Sequence, residues 1–463
     1  MQTVQPALTF MEPNFNPWIY RLVRLGLPWW LRYTQGIPEI TLNRGEILAT
    51  QLSQFQQGQI RLLLAYRHPT TADPPCLIHT LSNLVPKIAK AAQIPLKQPV
   101  HAHFMYDRGI PLWAGPGAAW LLPRLGATSI LRGRLDRQGL KSARTLLLDG
   151  PFPLAAAPEG GANGHSDILN PLEPGLAQLS FWCQEDLHKA NRPEHVVILP
   201  IHTSYHYLSD PEPAIRALLT RLEQDCGLTP APTQSISQRL AHLGEHLLPQ
   251  MERFYSQFFP KPITQALKTT APPPEQDLPD RLSRLLDIAL QVAEFNLNLQ
   301  PQGSLIERRH RIEQAAWDRI YCLDETHDSQ SPIERGLANR IAQEAHLHLW
   351  HMRLVETFIA MTHPPHPPAP TPTWAAESTL RFWSVITRLK GHDPLRLPQP
   401  HLGSRRASFT IGDPIAVTPR WSDYQTNRRQ AIQTLTDDLQ TALMQLMYTP
   451  AHPSPKPVQP IEK

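Results

Sequence analysis

The sequence predicts an α/β fold, with a mixed central sheet flanked by helices and a large, mostly α-helical insertion. Residues 60–208 alternate short apolar runs with helical patterns, which is typical of layered α/β proteins. Residues 209–403 carry helical patterns with proline-rich breaks. Strand-like character returns at 404–448, so one α/β domain is expected to be split in sequence.

Within 60–208, short apolar runs predict strands, and amphipathic spacing predicts helices. The strands are expected at 61–66, 99–104, 128–131, 153–157 and 196–201. The helices are expected at 77–92 and 140–149. A polar loop that begins at Arg67 follows the first of these strands.

Capping-box patterns predict two helix starts in the inserted region. Ser304 with Glu307, and Ser331 with Glu334, place a hydroxyl and a carboxylate where they satisfy free backbone N–H groups. Proline-rich stretches within this region are interpreted as linkers. These linkers are 271–279 and 363–373.

The last part of the chain is predicted to return to the first sheet. A strand is expected at 407–417, broken at Gly412-Asp413-Pro414, and an amphipathic closing helix is expected at 424–447. We therefore interpret 209–403 as an insertion. The alternative is a separate C-terminal helical domain whose last strand is unrelated to the first sheet. Residues 449–463 are predicted to be a disordered tail.

The composition argues against several classes of function. The net charge is +4, whereas nucleic-acid binding calls for a concentrated basic patch, so no nucleic-acid partner is expected. The four cysteines are far apart in sequence, which argues against a disulfide framework or a zinc ribbon and favours a reducing compartment. No segment has the ~20 apolar residues of a transmembrane helix.

The N-terminal region, residues 1–59, is predicted to contain an amphipathic membrane-interface segment at 15–33. Trp18, Trp29 and Trp30 are mixed there with three arginines, at positions 21, 24 and 32. Aromatic and cationic residues at near-helical spacing are typical of helices that lie in the membrane interface. We therefore expect a peripheral membrane protein on the cytoplasmic side. The alternative is an N-terminal helix packed on the protein's own core.

A histidine and an aspartate follow the first predicted strand. In a tight turn, the Asp73 carboxylate can accept a hydrogen bond from one ring nitrogen of His68. This bond raises the basicity of the other nitrogen, which can take a proton from an attacking hydroxyl group. His68 and Asp73 are therefore candidate catalytic residues. The alternative is a structural hydrogen bond within the loop.

Further blocks follow in a fixed order: 126–132, Pro158-Glu159-Gly160 and the apolar run 197–201. Together with His68 and Asp73, they resemble the H-x4-D, G-x5-R, F-P-E-G-T-R and V-P-V-like blocks of the glycerophospholipid acyltransferase family, which includes lysophosphatidate acyltransferases. The resemblance covers 60–208. It implies a glycerol-phosphate-acyltransferase-like fold, with His68 as the general base and Asp73 as the residue that orients it.

The resemblance also implies the reaction and its substrates. A fatty acyl group would move from acyl-carrier protein or CoA to a hydroxyl of a lysophospholipid or related glycerolipid at a membrane surface. Arg132 would bind the phosphate of the acceptor, Glu159 and Gly160 would help to place its glycerol end, and 197–201 would wall the acyl chain. The alternatives are solvated charges for Arg132 and Arg134, and a turn residue for Glu159.

The sequence departs from the family pattern after Gly160. The family has threonine and then arginine, whereas this chain has Gly161 and Ala162, so one phosphate contact is missing. Either Arg134 or Arg137 replaces it, or the acceptor carries no phosphate.

Neither a cofactor nor a metal ion is expected. Glu344, His348 and His351 share one face of a predicted helix, but surface histidines are far commoner than ligands. Because no nucleophile is expected near His68, the acyl group should pass directly to the acceptor without an acyl-enzyme. The alternative function is a non-catalytic lipid-binding or scaffolding protein that keeps the fold.

Overall fold

A computed structural model describes residues 3–258, 278–323, 331–358, 371–394 and 397–448 of the 463-residue chain. The tail predicted at 449–463 and most of both proline-rich stretches lie outside these residues. Among the residues described, eight strands form one mixed sheet and two form a small separate pair. Helices cover both faces of the central sheet, so the predicted α/β class is confirmed.

The strands share one central sheet except for β1 and β8. In chain order they are β1 (Gln5–Pro6), β2 (Glu39–Asn43), β3 (Ile60–Tyr66), β4 (His103–Asp107), β5 (Thr128–Ile130), β6 (Leu154–Ala156), β7 (His195–Tyr207), β8 (Tyr321–Leu323), β9 (Arg405–Ile411) and β10 (Ile415–Ala416). The spatial order is β2-β9-β7-β3-β6-β4-β5, and β10 also pairs with β7. Neighbours are parallel except at β7–β9 and β7–β10.

The helices fall into a group around the sheet and a group in the inserted region. The first group is α1 (Pro17–Tyr33), α2 (Gly45–Gln56), α3 (Asp73–His79), α4 (Val85–Ala91), α5 (Ile110–Ala114), α6 (Pro116–Arg124), α7 (Arg137–Asp149) and α8 (Gly175–Lys189). The second group is α9 (Glu212–Asp225), α10 (Ile236–Phe258), α11 (Leu278–Leu297), α12 (Leu305–Ile320), α13 (Pro332–Phe358) and α14 (Pro372–Leu389). The chain closes with α15 (Trp421–Thr426) and α16 (Arg428–Tyr448).

Strand β3 is buried along its whole length because it lies in the middle of the sheet. Its side chains alternate between the two faces, as the two-residue period of a strand requires. Leu62 and Leu64 join the apolar cluster under α1 to α4, whereas Leu63 and Ala65 join the cluster under α7, α8 and α16. This explains why the residues from Leu62 to Ala65 are all apolar rather than alternately apolar and polar.

The last two strands lie along one edge of β7. Ile411 of β9 is paired with Ile201, and Ile415 of β10 is paired with Ile198. Gly412 spans the break, and its N–H donates to the carbonyl of Pro200 at 2.8 Å. The strand expected at 407–417 therefore belongs to the sheet that contains β7, and the inserted region lies between them in sequence.

The sheet also extends further toward the N-terminus than the expected start at residue 60. Strand β2 pairs in parallel with β9, and α2 packs against β3. Strand β1 pairs with β8 of the inserted region, so that region is not purely helical. Part of residues 1–59 thus belongs to the core of the protein. The sequence near β2 does not predict this, because β2 joins the sheet only by pairing with β9.

Smaller differences have local causes. Strand β4 begins at His103, later than the predicted 99–104. The predicted closing helix is divided at Asn427, whose backbone is extended and whose side chain accepts from the N–H of Gln430 at 3.1 Å. Both predicted capping boxes are present, at Ser304 and Ser331.

The inserted region contacts the edge of the sheet at which β3 and β6 end. The Thr373 hydroxyl donates to the Tyr205 carbonyl at 3.1 Å, and the Thr371 hydroxyl donates to Asp167 at 2.9 Å. A Cβ on Gly133 would lie 2.1 Å from the His310 carbonyl oxygen, so only glycine permits the close approach of α12. The inserted region therefore forms a wall over this edge.

Helix α1 is amphipathic, with one face packed on the core and the other exposed to solvent. Its inner face packs on the core through Tyr20, Leu27 and Leu31. Its outer face leaves Trp18 70% and Trp29 66% exposed. Within the part of the chain that the structure describes, no helix is long and apolar enough to cross a bilayer.

Candidate functional site

Three of the expected blocks lie together because parallel strands end at one edge of the sheet. His68 follows β3, Glu159 follows β6, Arg132 follows β5, and Asp107 ends β4. Crevices outside the carboxyl ends of parallel strands are where open α/β sheets bind ligands. Residues that are far apart in sequence therefore lie close together, because the parallel strands that precede them end at the same edge of the sheet.

The central feature is the pair formed by His68 and Asp73. His68 Nδ1 lies 3.0 Å from Asp73 Oδ2. The same carboxylate oxygen accepts from the N–H of Thr70 at 2.8 Å, and Tyr205 Oη donates to the other oxygen. Asp73 is fully buried. A carboxylate held by three donors has a fixed orientation, so it also fixes the imidazole ring.

The His68 side chain is 19% exposed, whereas its partner Asp73 is inaccessible. Its Nδ1–H can donate to the carboxylate, which assigns the lone pair to Nε2. Among the residues described, none forms a hydrogen bond with Nε2. The ring therefore has one nitrogen committed to the protein and one available to a ligand.

A buried ion pair stands behind this loop. Arg67 Nε lies 3.2 Å from Glu159 Oε1, and both side chains are inaccessible to solvent. Arg67 also donates to the carbonyl groups of His165 (3.1 Å), Ser166 and Ile168. This pair ties the loop after β3 to the loop after β6.

The contacts of Glu159 differ from its expected role at the glycerol end of an acceptor. One carboxylate oxygen accepts from Arg67 and from the N–H of His68, and the other accepts from Asn163 and the N–H of Asn170. Its carboxylate is therefore fully occupied by the protein. Glu159 positions the two loops, which is closer to the alternative interpretation as a turn residue.

Gly160 has a left-handed backbone, with φ of +68°. A Cβ at this position would lie 1.9 Å from Glu173 Oε1 and would be strained by the left-handed backbone, so glycine is strongly favoured. The next residue, Gly161, lies against two guanidinium groups. The Cβ position of Gly161 is 3.6 Å from Arg132 Nη1 and 3.5 Å from Arg309 Nη2.

Arg132 is paired rather than solvated. Its Nε and Nη2 atoms lie 2.7 Å from Asp107 Oδ2. Burial lowers the pKa of Arg132, but Asp107, Glu313 and Glu173 outweigh it and raise the pKa overall. Arg134 instead forms a half-exposed pair with Asp318 at 3.1 Å. Its position matches the alternative of a solvated charge.

Several residues at the site were not predicted from the sequence, among them Asp107, Tyr205, Arg309 and His310. Tyr205 lies in an alternating stretch at the end of β7, and this period-two pattern was a usable signal. Arg309 and His310 come from α12 of the inserted region, for which no local signal exists. Burial, with Arg132 and Arg309 nearby, lowers the pKa of His310 to about 2, so this ring is neutral at ordinary pH.

Cys76 is a possible nucleophile near the His68–Asp73 pair. Its side chain is fully buried. Burial and the nearby Asp73 carboxylate raise the pKa of Cys76. The thiol therefore stays protonated, and a protonated buried thiol is a poor nucleophile. This argues against Cys76 as the carrier of a covalent intermediate.

A second polar cluster lies behind the loop after β6. Glu377 of α14 accepts from the N–H and the hydroxyl of Ser166 at 2.8 and 2.7 Å. His165 Nδ1 lies 3.7 Å from the same carboxylate. Burial raises the pKa of Glu377 to about 7.

The helix considered as a metal site has other contacts. His351 Nδ1 lies 2.8 Å from the Tyr255 hydroxyl, and Glu344 pairs with Arg340 at 3.3 Å. In the described residues, no three His, Cys, Asp or Glu side chains are grouped so that they could hold a metal ion.

Comparison with known proteins adds no assignment: neither a protein-family model, nor a curated protein, nor a solved structure matches this chain.

Proposed function

We propose that this protein transfers a fatty acyl group from a thioester of acyl-carrier protein or CoA to a hydroxyl group of a lysophospholipid or related glycerolipid. The observation that carries the proposal is the His68–Asp73 pair, with its buried carboxylate and its partly exposed ring at the carboxyl edge of the sheet. The order of the resembling blocks, and the mixed sheet that brings three of them to one edge, add support.

In the proposed reaction, His68 Nε2 accepts the proton of the acceptor hydroxyl group as its oxygen attacks the thioester carbonyl carbon. Asp73 stabilises the imidazolium ion that results. The tetrahedral intermediate collapses, the carbon–sulfur bond breaks, and the thiolate takes the proton from His68. The neutral Cys76 thiol is consistent with direct transfer, since no acyl-enzyme is then required.

The head group of the acceptor is proposed to bind beside Gly161. Arg132 keeps Nε and Nη2 on Asp107 and turns Nη1 toward Gly161, where Arg309 Nη2 also lies. Two guanidinium groups suit an anionic oxygen group such as a phosphate. Arg309 would thus replace the arginine that the sequence lacks after Gly161, a role for which Arg134 is poorly placed.

We also propose that the outer face of α1 lies on a membrane at the cytoplasmic side. Its exposed side chains include Trp18, Leu22, Leu25, Trp29, Trp30 and Tyr33. The chain before α1 is joined to the end of α6 by the N–H groups of Asn14 and Asn16, which donate to carbonyl groups at 2.8 Å. Trp120 of α6 is also exposed.

The reaction is tested with purified protein, palmitoyl-CoA and palmitoyl-acyl-carrier protein as donors, and a panel of lysolipids with and without phosphate. Thiol release and acylated lipid are measured together, because thioester hydrolysis alone would release thiol. We expect acylated lipid with at least one pair of substrates. Lipid binding without turnover across the panel would favour the non-catalytic alternative.

A further inference from the structure

An apolar cavity lies between the inserted region and the loop after β6. Its volume is about 270 Å³. Most of its wall comes from α10, α11 and α14, and its apolar lining includes Leu240, Leu247, Met251, Leu282, Trp374 and Phe382. The remaining wall includes His165 and Ile168 of the loop.

The size and chemistry of this cavity favour a hydrocarbon over water. An enclosed apolar cavity of about 150 Å³ admits benzene. This cavity, which is partly open to solvent, is nearly twice as large. Water would need several polar partners there, and the lining offers few. A flexible apolar chain gains free energy from entering such a space because each methylene group leaves water.

The lining also distinguishes between kinds of hydrocarbon ligand. None of the described lining residues is a lysine, an arginine, an aspartate or a glutamate. A free fatty acid held inside would need a cation for its carboxylate. A chain whose head group remains outside has no such requirement, and an acyl thioester is a ligand of this kind.

The cavity wall is tied to the proposed base by a short path. The carbonyl of His165 accepts from Arg67 at 3.1 Å, and Arg67 precedes His68 in the chain. On the other side, the N–H and hydroxyl of Ser166 bind Glu377 of α14. The loop that faces the cavity is thus the same loop that holds the His68 segment in place.

We propose that this cavity binds the distal part of the acyl chain of the thioester, and that the inserted region measures acyl-chain length. The proposal rests on the proposed acyl transfer for the identity of its ligand. It assigns a role to α10, α11 and α14. The segment 197–201, which was expected to wall the acyl chain, does not line this cavity.

The test fills the cavity from two sides. Ala241 and Ser378 line the cavity from α10 and α14, and the variants are Ala241→Trp and Ser378→Leu. His242→Trp is the matched control, because His242 is the next residue on α10, is exposed and does not line the cavity. The thermal midpoint of each variant shows whether it is folded.

Binding is measured by calorimetry with alkyl thioethers of CoA and of acyl-carrier protein, which carry the chain but have no carbonyl to transfer. For wild type, we expect affinity to rise by up to about fourfold for each additional buried methylene group. At least one folded filling variant should lose tenfold or more in affinity for the long-chain thioether, with the short-chain affinity unchanged. The control should bind like wild type.

The outcomes separate this proposal from the proposed function. Long-chain affinity unchanged in every folded filling variant would overturn the cavity assignment, even if acyl transfer is observed. Loss of long-chain affinity on filling, in a protein without transfer to any lysolipid, would retain the cavity as a thioester-chain site and remove the proposed function. A His68→Ala variant should bind the long-chain thioether normally, because His68 does not line the cavity.

Discussion

The carboxylate of Glu159 accepts a hydrogen bond from the backbone N–H of His68 at 3.2 Å. Two loops that are far apart in sequence are thereby joined at the residue proposed as the base. The same oxygen pairs with the buried guanidinium of Arg67. The position of the imidazole thus depends on Asp73, which binds the ring of His68, and on Glu159, which binds the backbone of His68.

Glu159→Gln should destabilise the protein by about 3–5 kcal/mol, since it leaves the Arg67 guanidinium buried without an anion. Arg134→Ala is the matched control: its pair with Asp318 is half exposed, so its loss should cost at most about 1 kcal/mol. Urea denaturation of both variants measures the difference. Equal losses would contradict the importance of the buried pair.

His68→Ala should lower the acyl-transfer rate by about 10²–10⁴-fold, because general-base catalysis contributes that amount. Stability should change by only about 1 kcal/mol, since one hydrogen bond in a partly exposed loop is lost. His195→Ala, at the exposed start of β7 on the opposite edge of the sheet, is the control. Turnover within about tenfold of wild type would remove His68 from the role.

Arg132→Ala should raise the KM for the acceptor far more than the KM for the donor, because Arg132 is assigned to the acceptor head group. Steady-state kinetics with each substrate varied in turn measure both constants. The increase should be largest for acceptors that carry a phosphate. Equal effects on both substrates would contradict the assignment, and an unchanged acceptor KM would indicate an acceptor without phosphate.

Glu377 should make stability depend on pH. Burial raises its pKa from the unfolded value of 4.5 to about 7, so folding favours the protonated form. Its contribution is fully present below the unfolded pKa and is lost as pH rises through the folded pKa. Relative to Glu377→Gln, wild type should therefore lose stability between pH 4.5 and about 7 and level off above that. Thermal unfolding of both proteins across this window measures the difference, and a constant difference would refute it.

Replacing Trp29 and Trp30 together by alanine should weaken sedimentation with anionic phosphatidylglycerol vesicles by about tenfold or more, because two large apolar side chains no longer leave water. The fold should be retained, since the buried contacts of α1 are made by other residues. Ile333→Ala with Leu337→Ala removes two exposed apolar side chains from α13 and should leave vesicle binding unchanged. Unfolding of the Trp29/Trp30 variant would instead show that this face supports the core.

Local patterns were sufficient for the strands that build the centre of the sheet. The apolar runs predicted β3 and the start of β7 because a strand buried on both faces has few polar residues. They did not predict β2, whose side chains are only partly buried and whose partner lies more than three hundred residues later. An edge strand of this kind is defined by its neighbour rather than by its own sequence.

The residues of the candidate site also fall into two groups: those that local sequence patterns predict and those that only the fold brings to the site. His68 and Asp73 were found as a histidine–aspartate pair that follows a predicted strand, and Glu159 was found through the resemblance to a family motif. Arg309 and Glu377 reach the site from helices of the inserted region, and no periodicity within those helices reports a contact with a distant loop. The contacts of Glu159 with Arg67, His68, Asn163 and Asn170 were not predicted, because they depend on burial that the sequence does not display.

The pairing of β2 with β9 has a consequence for how the protein is made. On the ribosome, β2 is synthesised near the start of the chain and β9 near its end. The edge of β2 that pairs with β9 therefore stays without its partner until the whole inserted region has been synthesised. Unpaired strand edges recruit other chains, and that hazard grows with the waiting time. A chain that stops before residue 405 leaves both β2 and one side of β7 without hydrogen-bonding partners, so truncated chains are expected to aggregate more readily than the complete chain.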